Sequence, residues 1–217
     1  MKISALIPSR GNPKELRDTI SNLFSTARSP ELLEVVVRLD EDDPTFLDYE
    51  RCFRPGVHWI MGPRLGYARI HEYYEECYKL SIGDLILAYN DDVEMMTTGW
   101  DEAYRTALAP VKFGVASAAV DEGNGTNYAW AMPMVKRELC ERIGRFCAGV
   151  ETCDRIFDAY ARLSGRGATA RVKMIHRWHP PAPGGERDKI YNHATSHWGE
   201  MTAKWDASAR EMMEMTK

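Results

Sequence analysis

The chain has 217 residues, 44% of them hydrophobic, and a formal net charge of −4, which suits one good-sized core or two small ones. No apolar run approaches the roughly 20 residues of a membrane span, and the first residues enter a strand pattern without a signal-peptide cleavage site, so no membrane insertion and a cytoplasmic location are expected. The acidic balance excludes a global pull toward nucleic acid or anionic lipid, though not a local basic patch; five cysteines without CxxC spacing argue against a disulfide framework and a structural zinc.

In chain order, residues 3–7 read as a first strand and Pro8-Ser9-Arg10-Gly11-Asn12 as the turn that leaves it. Pro13 suits a first helical turn, where no amide hydrogen is required. Leu16, Ile20, Leu23 and Phe24 then recur at helical spacing until the pattern fades at "TARSPE". Val35, Val36 and Val37 lead a second strand into "RLDEDDP". Strand, helix, strand makes a βαβ unit, which is almost always right-handed. The pattern repeats with a strand over 57–61, a turn over 62–66, a helix over 67–80 and a short strand, Leu85-Ile86-Leu87-Ala88, that stops at Asn90-Asp91-Asp92. Such an unbroken apolar run suits a strand covered on both faces, as in parallel sheets.

Beyond it, "TTGWDEAYRTALA" predicts a helix with Trp100, Tyr104 and Leu108 on one face. A strand over 113–120, the loop "DEGNGTN", a strand over 128–135 and a helix over 136–143 follow. After Glu151 a helix through "CDRIFDAYARLSG" closes at Gly165, a natural helix stop. "ARVKMIH" reads as the last strand, "RWHPPAPGGERDK" as a mobile loop, and 199–215 as a final helix. No repeat or linker marks a boundary, so a single α/β domain is expected, with a central, mostly parallel sheet flanked by helices.

The polar clusters fall at strand ends. Ser9-Arg10 follows the first strand, Asp40-Glu41-Asp42-Asp43 the second, Arg64 the third and Asn90-Asp91-Asp92 the fourth. Ligands bind parallel sheets at the carboxyl ends of their strands, so one crevice gathers these groups. That chemistry suits a nucleotide diphosphate: arginine for phosphate oxygens, an acid for base or ribose, and a metal held by carboxylates to bridge the diphosphate. Each cluster also has a plainer reading, as a solvated acidic turn or a surface ion pair.

"ISALIPSRGNPKELRDTISNL", "VVVRLDEDDP", "GPRLGYARIHEYYEECYKLSIGD" and "LILAYNDDVEMMTTGWDEAY" together resemble, in order, the N-terminal half of glycosyltransferases with the Rossmann-like GT-A fold, especially family 2 of the nucleotide-sugar enzymes. The similarity runs from Ile3 to about Tyr104 and more loosely to His176. It implies a nucleotide-sugar-binding half over 1–104, an acceptor-binding half over 105–180, and a lid loop and C-terminal helix over 181–217. By this resemblance Pro8, Ser9, Arg10, Asp40 and Arg64 line the nucleotide pocket, Asp91 lies near the ribose or sugar, and Asp92, in the place of the last acid of the family's DxD motif, binds Mn²⁺ or Mg²⁺. Asn90 departs from the motif at its first acid; an amide oxygen can ligate a divalent ion but carries no charge.

A later acidic pair at a helix start often supplies the family's acceptor base. "GVETCDRIFDAYARLSG" resembles that region, with Glu151 and Asp154 in the acidic places and Thr152 where a second acid is usual. Three positions apart on a helix, these two acids share a face; their plainer role is to favour the positive end of the helix dipole. His176, after the last strand, stands where the family has a further metal ligand, with His179 as the competitor; imidazole ligation weakens as pH drops through about 6.5. Arg187, Lys189 and His193 would close over the diphosphate as a lid. Trp130, with Tyr128, Trp178 and Trp198, is a candidate for stacking on the acceptor, core packing being the alternative.

The implied activity is metal-dependent transfer of a hexose or pentose from a nucleotide diphosphate sugar to a hydroxyl acceptor. That acceptor is a saccharide, a small molecule or a modified nucleic-acid base. The resemblance favours inversion at the anomeric carbon, and Thr152 leaves retention open. The alternatives are a non-catalytic nucleotide-sugar binder and a sugar-phosphate nucleotidyltransferase, the latter poorly matched by "IPSRGNPKE" as a triphosphate loop.

Overall fold

A computed structural model describes residues 1–121, 128–146, 153–177 and 198–217, the side chains of 198–200 excepted. Its first half contains β1 (Ile3–Ser9), α1 (Pro13–Thr26), β2 (Leu33–Asp40), β3 (Val57–Gly62), α2 (Ile70–Leu80), β4 (Leu85–Ala88), β5 (Val93–Met95) and α3 (Trp100–Leu108). Its second half contains β6 (Val115–Asp121), β7 (Met134–Lys136), α4 (Arg137–Ile143), α5 (Cys153–Ser164), β8 (Gly167–His176) and α6 (Trp198–Met215). These strands form one sheet in the order β3-β2-β1-β4-β7-β6-β8-β5.

The β3-β2-β1-β4 half is parallel throughout. Beyond β4 the pairing is mixed: β7 runs antiparallel to both β4 and β6, β8 is parallel to β6, and β5 antiparallel to β8. The reason for the βαβ half is visible in the alternation of its strands. Ile3, Ala5, Ile7, Val35, Val37, Leu85 and Leu87 point into one core with Leu16, Ile20 and Leu23 of α1 and Trp100, Tyr104 and Leu108 of α3. Leu6, Val36, Ile86 and Ala88 point into the other, with residues of α2, α4, α5 and α6. Both faces are covered, so apolar residues occupy consecutive positions. Cys52, Cys77, Cys140 and Cys153 pack as small apolar residues within these cores, while Cys147 lies outside the described residues.

Several elements differ from the sequence reading, among them the 3₁₀ helices Pro30–Leu32 and Phe46–Cys52, which it lacks. β5 has no counterpart there, because three residues are too few to display a period; it forms by pairing Val93 with His176 and Met95 with Met174. The strand expected over 128–135 is confined to β7, since Tyr128–Ala131 closes a turn (3.1 Å, Ala131 N–H to Tyr128 O) and Pro133 cannot donate to a ladder. The helix expected from residue 67 begins as a 3₁₀ turn, Tyr67–Arg69, and becomes α-helical at Ile70. No helix among the described residues is long and apolar enough to cross a membrane.

The β1–β4 junction tolerates no side chain at residue 83. The Gly83 amide donates to Ser4 Oγ (2.8 Å), which itself donates to the buried Glu34 carboxylate (2.6 Å). A Cβ on Gly83 would lie 2.4 Å from Ser4 Oγ and 2.7 Å from the Ser4 amide nitrogen. Gly83→Ala is expected to lower stability by about 1–3 kcal/mol, read as a fall in the denaturant midpoint at constant m-value; an unmoved midpoint would show that β1 and β4 separate freely here.

Candidate active site

The parallel half brings the carboxyl ends of β1, β2, β3 and β4 to one edge of the sheet, as its register requires. Ser9, at the end of β1, donates to Asp91 Oδ2 (2.6 Å), and the Asn12 side-chain amide reaches the same oxygen (3.3 Å). Thr19 of α1 donates to the Asp91 carbonyl (2.8 Å), fixing the backbone beyond β4. Arg10 pairs with Asp40 Oδ2 (3.0 Å) and also with Asp42. Pro8 lies opposite Arg38 in the β1–β2 ladder.

Asp40 lies at the end of β2 and is buried. Its Oδ1 takes Arg38 (3.1 Å) and the Tyr73 hydroxyl (2.8 Å), while its Oδ2 takes Arg10. Arg38 is itself fully buried; it pairs with Glu76 of α2 (2.6 Å) and donates to the Pro63 carbonyl (2.7 Å). A buried guanidinium needs such partners to offset the loss of water. The Arg64 guanidinium is exposed and has no ion-pair partner among the described residues.

The second group lies where β4, β5 and β8 meet. Asp92 Oδ1 stands 3.1 Å from His176 Nε2, because β5 pairs antiparallel with the end of β8 and Arg177 N–H bonds to the Asp92 carbonyl (2.8 Å). The Asn90 side-chain nitrogen lies 3.5 Å from the same imidazole nitrogen. Its oxygen accepts from the Tyr74 hydroxyl (3.0 Å), so the amide is oriented by α2 rather than left to turn. Among the described residues no group of three or more His, Cys, Asp or Glu side chains could hold a metal by itself.

Asp154 opens α5. Burial is the main cause that pushes its carboxyl up to about 6; Arg155, 3.9 Å away, opposes the shift, and Asp158 adds to it. A quarter of the side chain stays exposed. Burial also pushes the Tyr74 phenol far up, and the charges of Cys153 and Asp154 add to the shift.

Of the residues named from sequence, the structure gathers Ser9, Arg10, Asp40 and Asp91 at one sheet edge and brings Asp92 to His176. Glu151 and Arg187 lie outside the described residues, as do Thr152, Trp178, His179, Lys189 and His193. Trp130 is half-buried against the second core. Tyr128 lies under the Arg155 guanidinium, 3.8 Å from its ring centroid. Sequence reading missed Asn12, Arg38, Tyr73 and Tyr74. The tyrosines carried a signal: both lie on the buried stripe of α2, and buried phenols seek polar partners.

No protein-family model and no curated protein matches the chain. Solved structures do. The S. aureus TarS 1–349 structure aligns with 81% of this chain and 60% of its own length, at TM-score 0.63 and 14% identity. TarS 1–349 in complex with UDP-GlcNAc aligns with 99% of this chain and 72% of its own, at TM-score 0.62 and 13% identity. The mannosyltransferase PcManGT from Pyrobaculum calidifontis, in complex with GDP-Man and Mn²⁺, aligns over 98% and 74% at TM-score 0.62 and 14% identity. The chain thus spans about 60% of the first of these proteins. Identities this low carry the fold alone. The fold of this chain is the GT-A fold of nucleotide-sugar glycosyltransferases.

Proposed function

We propose that this chain is a single catalytic domain that transfers a sugar from a nucleotide diphosphate sugar to a hydroxyl acceptor. The observation that carries this reading is the gathering of donor-type groups, Ser9, Arg10, Asp40 and Asp91, at one sheet edge; Asp154, an acid whose carboxyl is pushed up to about 6, is the candidate base. The neighbours bound to UDP-GlcNAc and GDP-Man support the donor class.

In this reading Pro8, Ser9 and Asp91 seat the ribose and sugar side of the donor. Asp40 has one acceptor position left on Oδ2, beside Arg10, for a donor N–H or O–H. Arg10 and Arg64 meet the diphosphate, and Arg187, outside the described residues, is the third candidate from the sequence. Asp154 accepts the proton of the acceptor hydroxyl as its oxygen attacks the anomeric carbon, and the C–O bond to the nucleotide diphosphate breaks. Glu151 is the competing base, and Trp130 lines the acceptor side. Attack from the face opposite the leaving group gives inversion.

Asp92 and His176 would hold a divalent ion, Mn²⁺ or Mg²⁺, with the remaining ligands supplied from outside the protein. Bound there, it would neutralise charge on the departing diphosphate. One observation favours a second reading. Among the described residues no third His, Cys, Asp or Glu joins Asp92 and His176, and so sparse a ligand pair suits a nucleotide-sugar binder without turnover.

The test is thermal stability with UDP, GDP, UDP-GlcNAc and GDP-mannose, each with Mn²⁺, Mg²⁺ or chelator, followed by donor turnover. A ligand at 100 times its dissociation constant adds about 2.7 kcal/mol. A metal-dependent shift with one base, and release of its diphosphate on adding acceptor alcohols, is the expected result. Absence of any shift removes the donor reading; a shift without turnover supports the binder.

A further inference from the structure

Two tyrosines and two acids of the β2 acidic run make one arrangement twice. The Tyr49 hydroxyl donates to Asp43 Oδ2 (3.2 Å) and accepts the Asn12 amide (3.2 Å). The same Asp43 oxygen takes the Gly11 amide (2.8 Å). The Tyr73 hydroxyl donates to Asp40 Oδ1 (2.8 Å) and accepts the amides of Leu65 (2.7 Å) and Gly66 (3.1 Å). Each pair therefore holds two successive amides of one loop, and each loop carries an arginine, Arg10 in the first and Arg64 in the second.

The hydrogen inventory makes these bonds specific. A phenol has one proton to give, and in both tyrosines it goes to a carboxylate. Ser9 also lies 3.3 Å from the Tyr49 hydroxyl, but its own proton goes to Asp91 at 2.6 Å. The other oxygen of Asp43 accepts the Thr45 amide and hydroxyl, both at 2.8 Å. Its acceptor positions are thereby filled. Burial pushes its carboxyl up, but the amides of Thr45 and Gly11 outweigh this and hold it below the ordinary carboxylate range. A buried, charged acid with no acceptor position left serves to hold its neighbours rather than to bind a ligand.

We infer that Asp43–Tyr49 and Asp40–Tyr73 are twin latches that hold the two arginine-bearing loops in their donor-binding shape before the donor arrives, the tyrosines acting as positioning residues. The inference rests on the donor reading above. A loop already ordered loses less entropy on binding, and that difference appears as affinity. Both rings pack independently of their hydroxyls: Tyr49 in the first core and Tyr73 under Arg38, 4.8 Å from ring centroid to guanidinium carbon. Phenylalanine at either position keeps that packing and removes the latch.

The experiment compares the wild-type chain with Tyr49→Phe and Tyr73→Phe by residue-resolved amide hydrogen exchange and by the affinity for UDP and GDP with Mn²⁺. Tyr49→Phe is expected to speed exchange at Asn12 about tenfold or more and leave Leu65 and Gly66 unchanged. Tyr73→Phe is expected to do the reverse. The Val36 amide in the core ladder should hold its rate in both. Each variant should weaken binding of the nucleotide that the wild type prefers by roughly tenfold. Equal acceleration at Val36 would mean general destabilisation and overturn the latches, as would unchanged exchange at the named amides. Local acceleration with unchanged affinity would overturn the positioning role. If the wild type binds neither nucleotide, the donor reading falls instead, and the exchange rates alone decide whether the latches exist.

Discussion

Asp154→Asn is expected to lower transfer by about 10²–10⁴-fold while leaving donor affinity within about twofold, because it removes the proposed acceptor base and little else. In the wild type only the carboxylate can accept that proton. With its carboxyl pushed up to about 6, the rate should rise about tenfold per pH unit below pH 6 and level off above it. The same variant should change stability in the opposite sense. A raised carboxyl pKa means that the folded chain binds the proton more tightly than the unfolded chain. That contribution is fully present below about pH 4 and is lost as pH rises through about 6. Between 3.8 and about 6 the linkage amounts to about 3 kcal/mol at most. At pH 8 the neutral amide should therefore raise the melting temperature, and at pH 4 it should leave it almost unmoved. Melting curves at the two pH values, run beside single-turnover rates, check both halves. Undiminished transfer by Asp154→Asn would pass the base role to Glu151.

Asp92→Ala is the second large effect. It removes the carboxylate beside His176 (3.1 Å), and with it the charged member of the proposed ligand pair. The part of the nucleotide-induced thermal shift that chelator abolishes should disappear, and transfer should fall by at least about 10²-fold, since a divalent ion at a departing diphosphate contributes several kcal/mol. The chelator-resistant part should stay, because Ser9, Arg10 and Asp40 do not touch Asp92 among the contacts described above. A variant that keeps its manganese-dependent shift would show that Asp92 is not a ligand. A wild type indifferent to chelator would remove the metal from the reaction altogether.

Periodicity located most elements of this chain because each is a local pattern. Leu16, Ile20 and Leu23 repeat on one face of α1; Trp100, Tyr104 and Leu108 repeat on α3. The unbroken apolar run of β4 announced a strand covered on both faces. The order of strand, helix and strand put the polar clusters at the carboxyl ends of strands, and so at one edge. β5 escaped notice, since it exists only because Val93 and Met95 meet the end of β8, more than 70 residues later in the chain.

Residue type, spacing and the family resemblance nominated the candidates for this site: Arg10, Asp40, Asp91, Asp92, Asp154 and His176. Only the tertiary structure decided what each is committed to. "DEDD" reads as four equal acids, yet Asp43 spends both oxygens on backbone and hydroxyl groups, while Asp40 is shared by two arginines and a phenol. Asn90 reads as a weakened metal ligand, and Tyr74 of α2 orients its amide by a hydrogen bond to the oxygen. Asp154 reads as a candidate base or a helix-start acid, and burial in the folded chain is what lifts it toward neutrality. Hydrogen-bond satisfaction and desolvation depend on partners brought together from distant segments, and a linear pattern does not carry those distances.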